Sequence, residues 1–206
     1  MAKNGKHKII ILIGESSCGK STIAKKLISK NTKPLVTYTT RPPRDNEKDG
    51  VDYHFVTKDE FFNLNLIEYR EYKTVFGTWY YGSADENINL SKNDYIIVLT
   101  PDGAQSFIDH FGVENCIVFY IYVPKKIRTE RAMKRPNFNS DEWERRLIAD
   151  KHDFSDEKVN KVAKFKISNF DTDINNVVKA IKTYVSIWKG NWWKDIIMLK
   201  QKPSAD

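Results

Sequence analysis

Residues Ile9 to Thr22, IIILIGESSCGKST, constrain this chain more than any other stretch. Ile9 to Ile13 is a short, apolar, β-branched run, the pattern of a parallel strand buried on both faces. It breaks at Gly14. From Gly14 through Glu15, Ser16, Ser17, Cys18, Gly19 and Lys20 to Ser21 the sequence fits G-x-x-x-x-G-K-[ST] at every position. The following TIAKKLISK places Ile23, Ala24, Leu27 and Ile28 on one helical face. Strand, glycine loop and helix therefore come in the order that a phosphate cradle requires. Glycines let backbone N–H groups turn onto an anion, and a helix N-terminus adds the positive end of its dipole. Lys20 is expected to reach the β- and γ-phosphates of a nucleoside triphosphate, and Ser21 to offer its hydroxyl to Mg²⁺.

The chain has 206 residues, enough for one globular domain with a full core and room for inserted subdomains. Its formal charge of +7 suits an anionic ligand. Nucleotide phosphates and nucleic acid both qualify, but no recognisable nucleic-acid-binding module is present. The only cysteines are Cys18 and Cys116, which offer neither a disulfide framework nor a thiolate metal site, so a reducing cytoplasm is expected. The N-terminus is basic and then apolar, but its apolar run is too short for a signal peptide and leads directly into the glycine loop. No segment is long enough to span a membrane.

Beyond the first helix, Pro34 to Tyr38 reads as a second strand. TYTTRPPRDNEKDGVDYHF then reads as an exposed loop. KDEFFNLN reads as a short helix. Alternation in Ile67 to Val75 and Thr78 to Tyr81 predicts a small antiparallel sheet. Core pattern resumes with a strand over Tyr95 to Thr100, a helix over Asp102 to His110 and a strand over Cys116 to Val123. Strands alternating with helices argue for a parallel sheet. Pro124 opens a basic helix, KKIRTERAMKR, which Pro136 closes. Asp141 to Asp153 reads as helical and Phe165 to Ser168 as a last strand. Val177, Ile181, Tyr184, Val185 and Trp188 recur at helical spacing. The tail GNWWKDIIMLK could cover the core or contact another subunit, and intramolecular packing is the simpler expectation.

Arg41 and Arg44 flank two prolines in TTRPPR, so two guanidiniums project from a stiffened turn. Arginine forks match phosphate oxygens bidentately. The segment TTRPPRDNEKDGVDYHFVTKDEF, a Glu-containing strand and YYGS together resemble the nucleotide-acceptor region of guanylate kinases, a family that also begins with such a glycine loop. The resemblance runs from about Ile9 to Asn169.

The resemblance implies a P-loop NTPase three-layer α/β fold with a parallel core sheet (1–36, 85–126 and 151–206). It also implies a GMP-binding insertion (37–84) and a helical lid (127–150). It implies ATP-dependent phosphorylation of GMP, and of dGMP, with Mg²⁺ accompanying ATP. ATP would lie on Gly14 through Thr22 and near Asn169. Arg41, Arg44, Tyr53 and Tyr81 would hold the GMP phosphate, with Thr37 and Ser83 lining that site; Tyr80 is the alternative to Tyr81. A carboxylate would read guanine, because N1–H and the 2-amino group are adjacent donors that adenine lacks. Glu71 is placed ahead of Glu68 for that role, on an alignment that needs one extra residue before the tyrosines. Arg128, Arg131 and Arg135 are spaced to share one helical face. Arg131 and Arg135 match the family's lid arginines, and Arg146 matches a third.

One departure stands out. The family carries an aspartate where Thr100 stands in VLTPDGAQ, which leaves Asp102 as a nearby substitute for contact with guanine or the metal. This keeps open a kinase with another acceptor, a nucleoside monophosphate or a sugar phosphate. A guanylate-kinase-like binding module without activity is the third reading, against which the intact Lys20 loop argues. The implied partners are ATP and GMP, with no nucleic acid and no membrane, in a monomer or homodimer.

Overall fold

The computed structural model describes residues 7–45, 47–74, 77–86, 88–136 and 138–190. The tail from Asn191 onward, including both tryptophans of GNWW, lies outside them. Strand β1 (Ile9–Ile13) is fully buried along its length. It sits at the centre of a five-stranded parallel sheet, flanked by β7 (Asp94–Val98) and β8 (Cys116–Tyr122). β2 (Thr32–Pro34) and β9 (Phe165–Ser168) close the two edges, giving the order β2-β7-β1-β8-β9.

Alternate residues of β1 face opposite layers. Ile10 and Leu12 join a cluster with Ile23 and Leu27 of α1 (Lys20–Leu27) and Val177, Ile181 and Trp188 of α7 (Ile174–Lys189). Ile9, Ile11 and Ile13 join another with Phe107 of α3 (Pro101–Phe111) and Val159 and Val162 of α6 (Asp156–Val162). A strand buried on both faces needs a helical layer on each side, and these two clusters supply them. Among the described residues no helix is long and apolar enough to cross a membrane.

The stretch Pro34 to Tyr38 is not one strand. Pro34 ends β2, and the chain passes from the core sheet into a second sheet at β3 (Tyr38–Thr39). That sheet runs β4-β3-β6-β5, where β4 is His54–Phe55, β5 Leu66–Thr74 and β6 Gly77–Ala84. It is antiparallel except for β3 and β4, which run parallel because the long Pro-rich loop between them returns the chain to its starting end. Helix α2 (Lys58–Phe62) packs on one face, where Phe61, Tyr80 and Ala84 form a small core of their own. The other face carries Glu68, Arg70 and Ser83 together with the rings of Tyr53, Tyr72 and Tyr81.

Two helices follow β8. α4 (Lys125–Met133) is shorter than the basic run, and Arg135 lies beyond its end. α5 (Ser140–Asp153) is capped by the Asn139 side chain. The sequence pattern missed α6, which carries only two buried apolar residues. Its signals were Ser155 as cap and two acids in the first turn.

Gly82 shows how tightly the second sheet is packed. A Cβ there would stand 2.8 Å from the Glu68 carbonyl oxygen and 2.9 Å from Phe61 Cζ. Gly82→Ala should therefore cost about 1–3 kcal/mol in chemical denaturation. An unchanged midpoint would contradict this packing.

Candidate functional site

The loop after β1 turns through residues with positive φ, Ser17 at 62° and Gly19 at 97°, before α1 begins at Lys20. The Lys20 ammonium folds back onto its own loop, donating to the carbonyl oxygens of Gly14 and of Glu15 (2.9 Å). Ser21 and Thr22 lie exposed in the first helical turn, and Cys18 is buried beneath the loop. Asn169, buried just after β9, donates from Nδ2 to the Cys18 carbonyl at 2.8 Å, and its own carbonyl accepts from Arg131 at 2.7 Å. A Cβ on Gly19 would meet Asn169 Nδ2 at 2.5 Å, so this close approach as well as the positive φ needs glycine. Lys20, Arg131 and Asn169 are thus gathered at one place.

Arg128 does not take an outward place on the helical face that the spacing gives it with Arg131 and Arg135. Its side chain is 6% exposed and donates to Glu15 (3.3 Å), Asp150 (3.1 Å) and the carbonyls of Val123 and Ser16. Asp150 also accepts from the backbone N–H and the hydroxyl of Ser16, while Glu15 accepts from the Tyr120 hydroxyl. Burial raises the Asp150 carboxyl above its ordinary range, against the opposing pull of Ser16 and Arg128. Arg128 therefore pins the loop to α4 and α5 rather than facing a ligand. Arg135 is exposed past the end of α4, so Arg128, Arg131 and Arg135 do not share one ligand-facing surface. Arg146 is held within its own helix by Glu142 at 2.7 Å. Hydrogen bonds from Arg145, opposed by slight burial and reinforced by Arg146, keep the Glu142 carboxyl at about 2.

On the second sheet, Arg41 lies against the face away from α2. Its Nε donates to the Tyr81 hydroxyl at 3.0 Å, its Nη2 donates to both Glu47 oxygens at 2.8 and 2.9 Å, and its Nη1 donates to the Pro42 carbonyl. The guanidinium also lies 5.7 Å from the Tyr53 ring centroid, and Tyr53 meets Tyr81 edge-on. Glu47 additionally accepts from the Arg44 backbone N–H, so it braces the TTRPPR turn; sequence reasoning did not single it out. The Arg44 side chain is exposed, and Thr37 is half-buried just before β3.

The carboxylate on this face is Glu68. It pairs across the hairpin with Ser83, whose hydroxyl donates to it at 2.7 Å. Burial raises its pKa, with Ser83 and the Arg70 charge pulling the other way. Glu71 points to the opposite, α2-side face, where it is largely exposed and accepts from the Tyr80 hydroxyl at 3.1 Å. Glu71 and Tyr80 thus pair with each other away from Arg41, Tyr81 and Ser83. Strand parity explains the difference, because side chains an odd number of residues apart face opposite ways.

Thr100 caps α3, accepting from the Gly103 N–H, and its hydroxyl accepts from Arg70 at 2.9 Å. Asp102 is exposed, paired with Lys158 at 2.9 Å and 3.9 Å from Arg70. Glu68, Arg70, Asp102 and Gly103 line one open cleft of about 340 Å³ between the hairpin and α3. Arg70 was also missed by sequence reasoning, although its place two residues after Glu68 on the same face was a usable signal.

Residues 6–187 match the family model described as guanylate kinase. A guanylate kinase of Neisseria meningitidis serogroup A is 30% identical over 191 residues, covering 88% of this chain and 92% of that one. One from Helicobacter hepaticus is 35% identical over 152 residues, covering 69% and 74%. Among solved structures, the guanylate kinase of Anaplasma phagocytophilum aligns with a TM-score of 0.57 at 24% identity, over 98% of this chain and 90% of that one.

The buried arginine separates from the exposed ones by stability. Arg128→Ala leaves two acids in the loop corner without their guanidinium and should cost about 3–5 kcal/mol in denaturant melts. Arg135→Ala should shift stability by no more than about 0.5 kcal/mol. Equal, small effects would contradict the pinning role.

Proposed function

The chain belongs to the guanylate kinase family, and from that premise we propose that it transfers the γ-phosphoryl group of ATP to the phosphate of GMP. The observation that carries this reading is Glu68, a half-buried carboxylate aligned with Ser83 on the same sheet face as Tyr81 and Arg41. It accepts guanine N1–H and the 2-amino group together. Adenine would offer it no such pair of donors and leave Ser83 as its hydrogen-bond partner, a loss worth orders of magnitude in discrimination. Glu68 thus takes the role that the alignment gave to Glu71. No observation favours another acceptor or an inactive module.

Arg41, Arg44, Tyr53 and Tyr81 bind the GMP phosphate, with Thr37 and Ser83 lining the site. The Arg41 Nη2 now shared by the two Glu47 oxygens, and the Nη1 now given to the Pro42 carbonyl, can turn to phosphate oxygens instead. ATP lies on Gly14 through Thr22. Lys20 exchanges the carbonyls of its own loop for β- and γ-phosphate oxygens, and Asn169 keeps the loop turned. Among the described residues no cluster of three His, Cys, Asp or Glu side chains forms a metal cage. The exposed Ser21 hydroxyl nonetheless fits Mg²⁺, which keeps several waters and takes phosphate oxygens for the rest of its shell. Bound there, Mg²⁺ neutralises charge on the β- and γ-phosphates.

The attacking GMP oxygen is already anionic, so no protein base is required. Catalysis rests on bringing two anions into line and neutralising them. Arg131 is the lid arginine proposed for this role, supported by its hydrogen bond to the Asn169 carbonyl beside the loop. Arg135 and Arg146 join it only if the segment carrying them closes over the phosphates, releasing Arg146 from Glu142. Asp102, exposed and paired with Lys158, borders the guanine cleft without a direct place in the transfer.

Glu68→Gln should raise the KM for GMP by about 100-fold or more, while the KM for ATP moves by no more than about threefold. Glu71→Gln should leave both within about twofold. The reverse pattern would restore Glu71 as the guanine reader.

Acid should act through the same carboxylate. Its folded pKa is raised, so its neutral form persists to higher pH than for an ordinary glutamate. The KM for GMP should therefore climb as pH falls through that raised value, and Glu68→Gln should abolish the dependence. A variant that keeps the wild-type pH profile would assign the titration elsewhere.

A further inference from the structure

We propose that Arg70 reads the acceptor edge of the guanine base, N7 and O6, beside the donor edge taken by Glu68. The proposal rests on the guanylate kinase reading of the site and adds to it a second specificity-determining residue.

Glu68 and Arg70 are two residues apart on β5, with side chains on the same face and about 6–7 Å between their Cα atoms. Both line the cleft that Gly103 and Ser106 of α3 close from the other side. Opposite them on β6, Ser83 pairs with Glu68 and Tyr81 pairs with Arg70. Arg70 therefore lies one step from the base-reading carboxylate, toward the phosphate-binding tyrosine. A GMP that places its N1 and 2-amino donors on Glu68 and its phosphate at Tyr81 presents its remaining base edge along this wall.

That edge of guanine carries two acceptors, O6 and N7, and a guanidinium fork matches both at once. Adenine presents N7 and an amino group there, so it would turn a donor toward a cation. Carboxylate and guanidinium, two residues apart, thus complement the two adjoining edges of guanine and oppose those of adenine.

Arg70 is also held in place. One terminal nitrogen donates to Asp153 at 2.7 Å, at the end of α5, and the other to the Thr100 hydroxyl at 2.9 Å. These bonds use two of the five N–H groups that an arginine carries. The side chain is about one-third exposed, at 31%, toward the cleft that it lines. Thr100 gains a purpose here. It stands where the resemblance led us to expect an aspartate, and its neutral hydroxyl orients the guanidinium without adding to the charges of Asp153 and, at 3.9 Å, Asp102.

The test compares kcat/KM for GMP, inosine monophosphate and 7-deaza-GMP, which lacks the N7 acceptor, in wild type, Arg70→Met and Arg70→Lys. Wild type should use 7-deaza-GMP about 10- to 100-fold less well than GMP. Arg70→Met should bring the two within about threefold of each other by losing activity on GMP. Its preference for GMP over inosine monophosphate, set by the 2-amino contact to Glu68, should persist. Arg70→Lys keeps the charge but loses the fork, and should also narrow the 7-deaza gap. It serves as the readout if Arg70→Met does not fold. A wild type indifferent to N7, or variants in which both substrates fall by one common factor, would overturn the proposal and leave Arg70 as a strap between hairpin, α3 and α5. A wild type that fails to phosphorylate GMP would instead overturn the reading on which the proposal rests.

Discussion

Burying Ile9 to Ile13 on both faces is the constraint from which the rest of the architecture follows. A strand with no solvent-facing side must have a partner strand on each edge and a helical layer on each face. β7, β8, α1 with α7, and α3 with α6 meet those four needs. Because the strand cannot slip or twist away, the loop leaving its end is fixed at Gly14, and Lys20 enters α1 at a set place. Asn169 reaches the same loop from the end of β9, the edge strand beside β8. The phosphate loop is thus held by the core sheet from two directions.

Catalysis asks for something harder, since two phosphates that repel must meet in line. The protein distributes the compensating charge over separate bodies. Lys20 belongs to the core, Arg41 to the second sheet and Arg131 to the helix after β8. In the present arrangement much of that charge is satisfied internally. Lys20 holds its own loop carbonyls, Glu47 takes one terminal nitrogen of Arg41 and Glu142 occupies Arg146. In the proposed transfer, phosphate oxygens would replace these partners at little net desolvation cost, because each cation would exchange one set of oxygens for another.

Much of this was legible in the sequence. The core alternation and the strand, loop and helix order at Gly14 to Lys20 match the structure, because each is a local pattern tied to one element's geometry. Failures came where information is not local. Pro34 to Tyr38 reads as one extended run, but the chain changes sheets within it. Glu71 outranked Glu68 because an alignment with one extra residue fixed the parity of the hairpin, and parity decides which face a side chain takes. Arg128 has the spacing to share a helical face with Arg131 and Arg135, yet it turns inward to two acids, Glu15 and Asp150, that come from distant parts of the chain. Arg70 was overlooked since its importance lies in Thr100 and Asp153, neither near it in sequence.

What the second sheet binds decides what the whole chain does, and the central claim is transfer from ATP to GMP. The most direct measurement is product formation, followed by ³¹P NMR, with ATP, Mg²⁺ and one of GMP, AMP, CMP or UMP. The account predicts stoichiometric ADP and GDP with GMP, and turnover of the other three at least about 100-fold slower. Comparable turnover of AMP, or none of GMP, would contradict it.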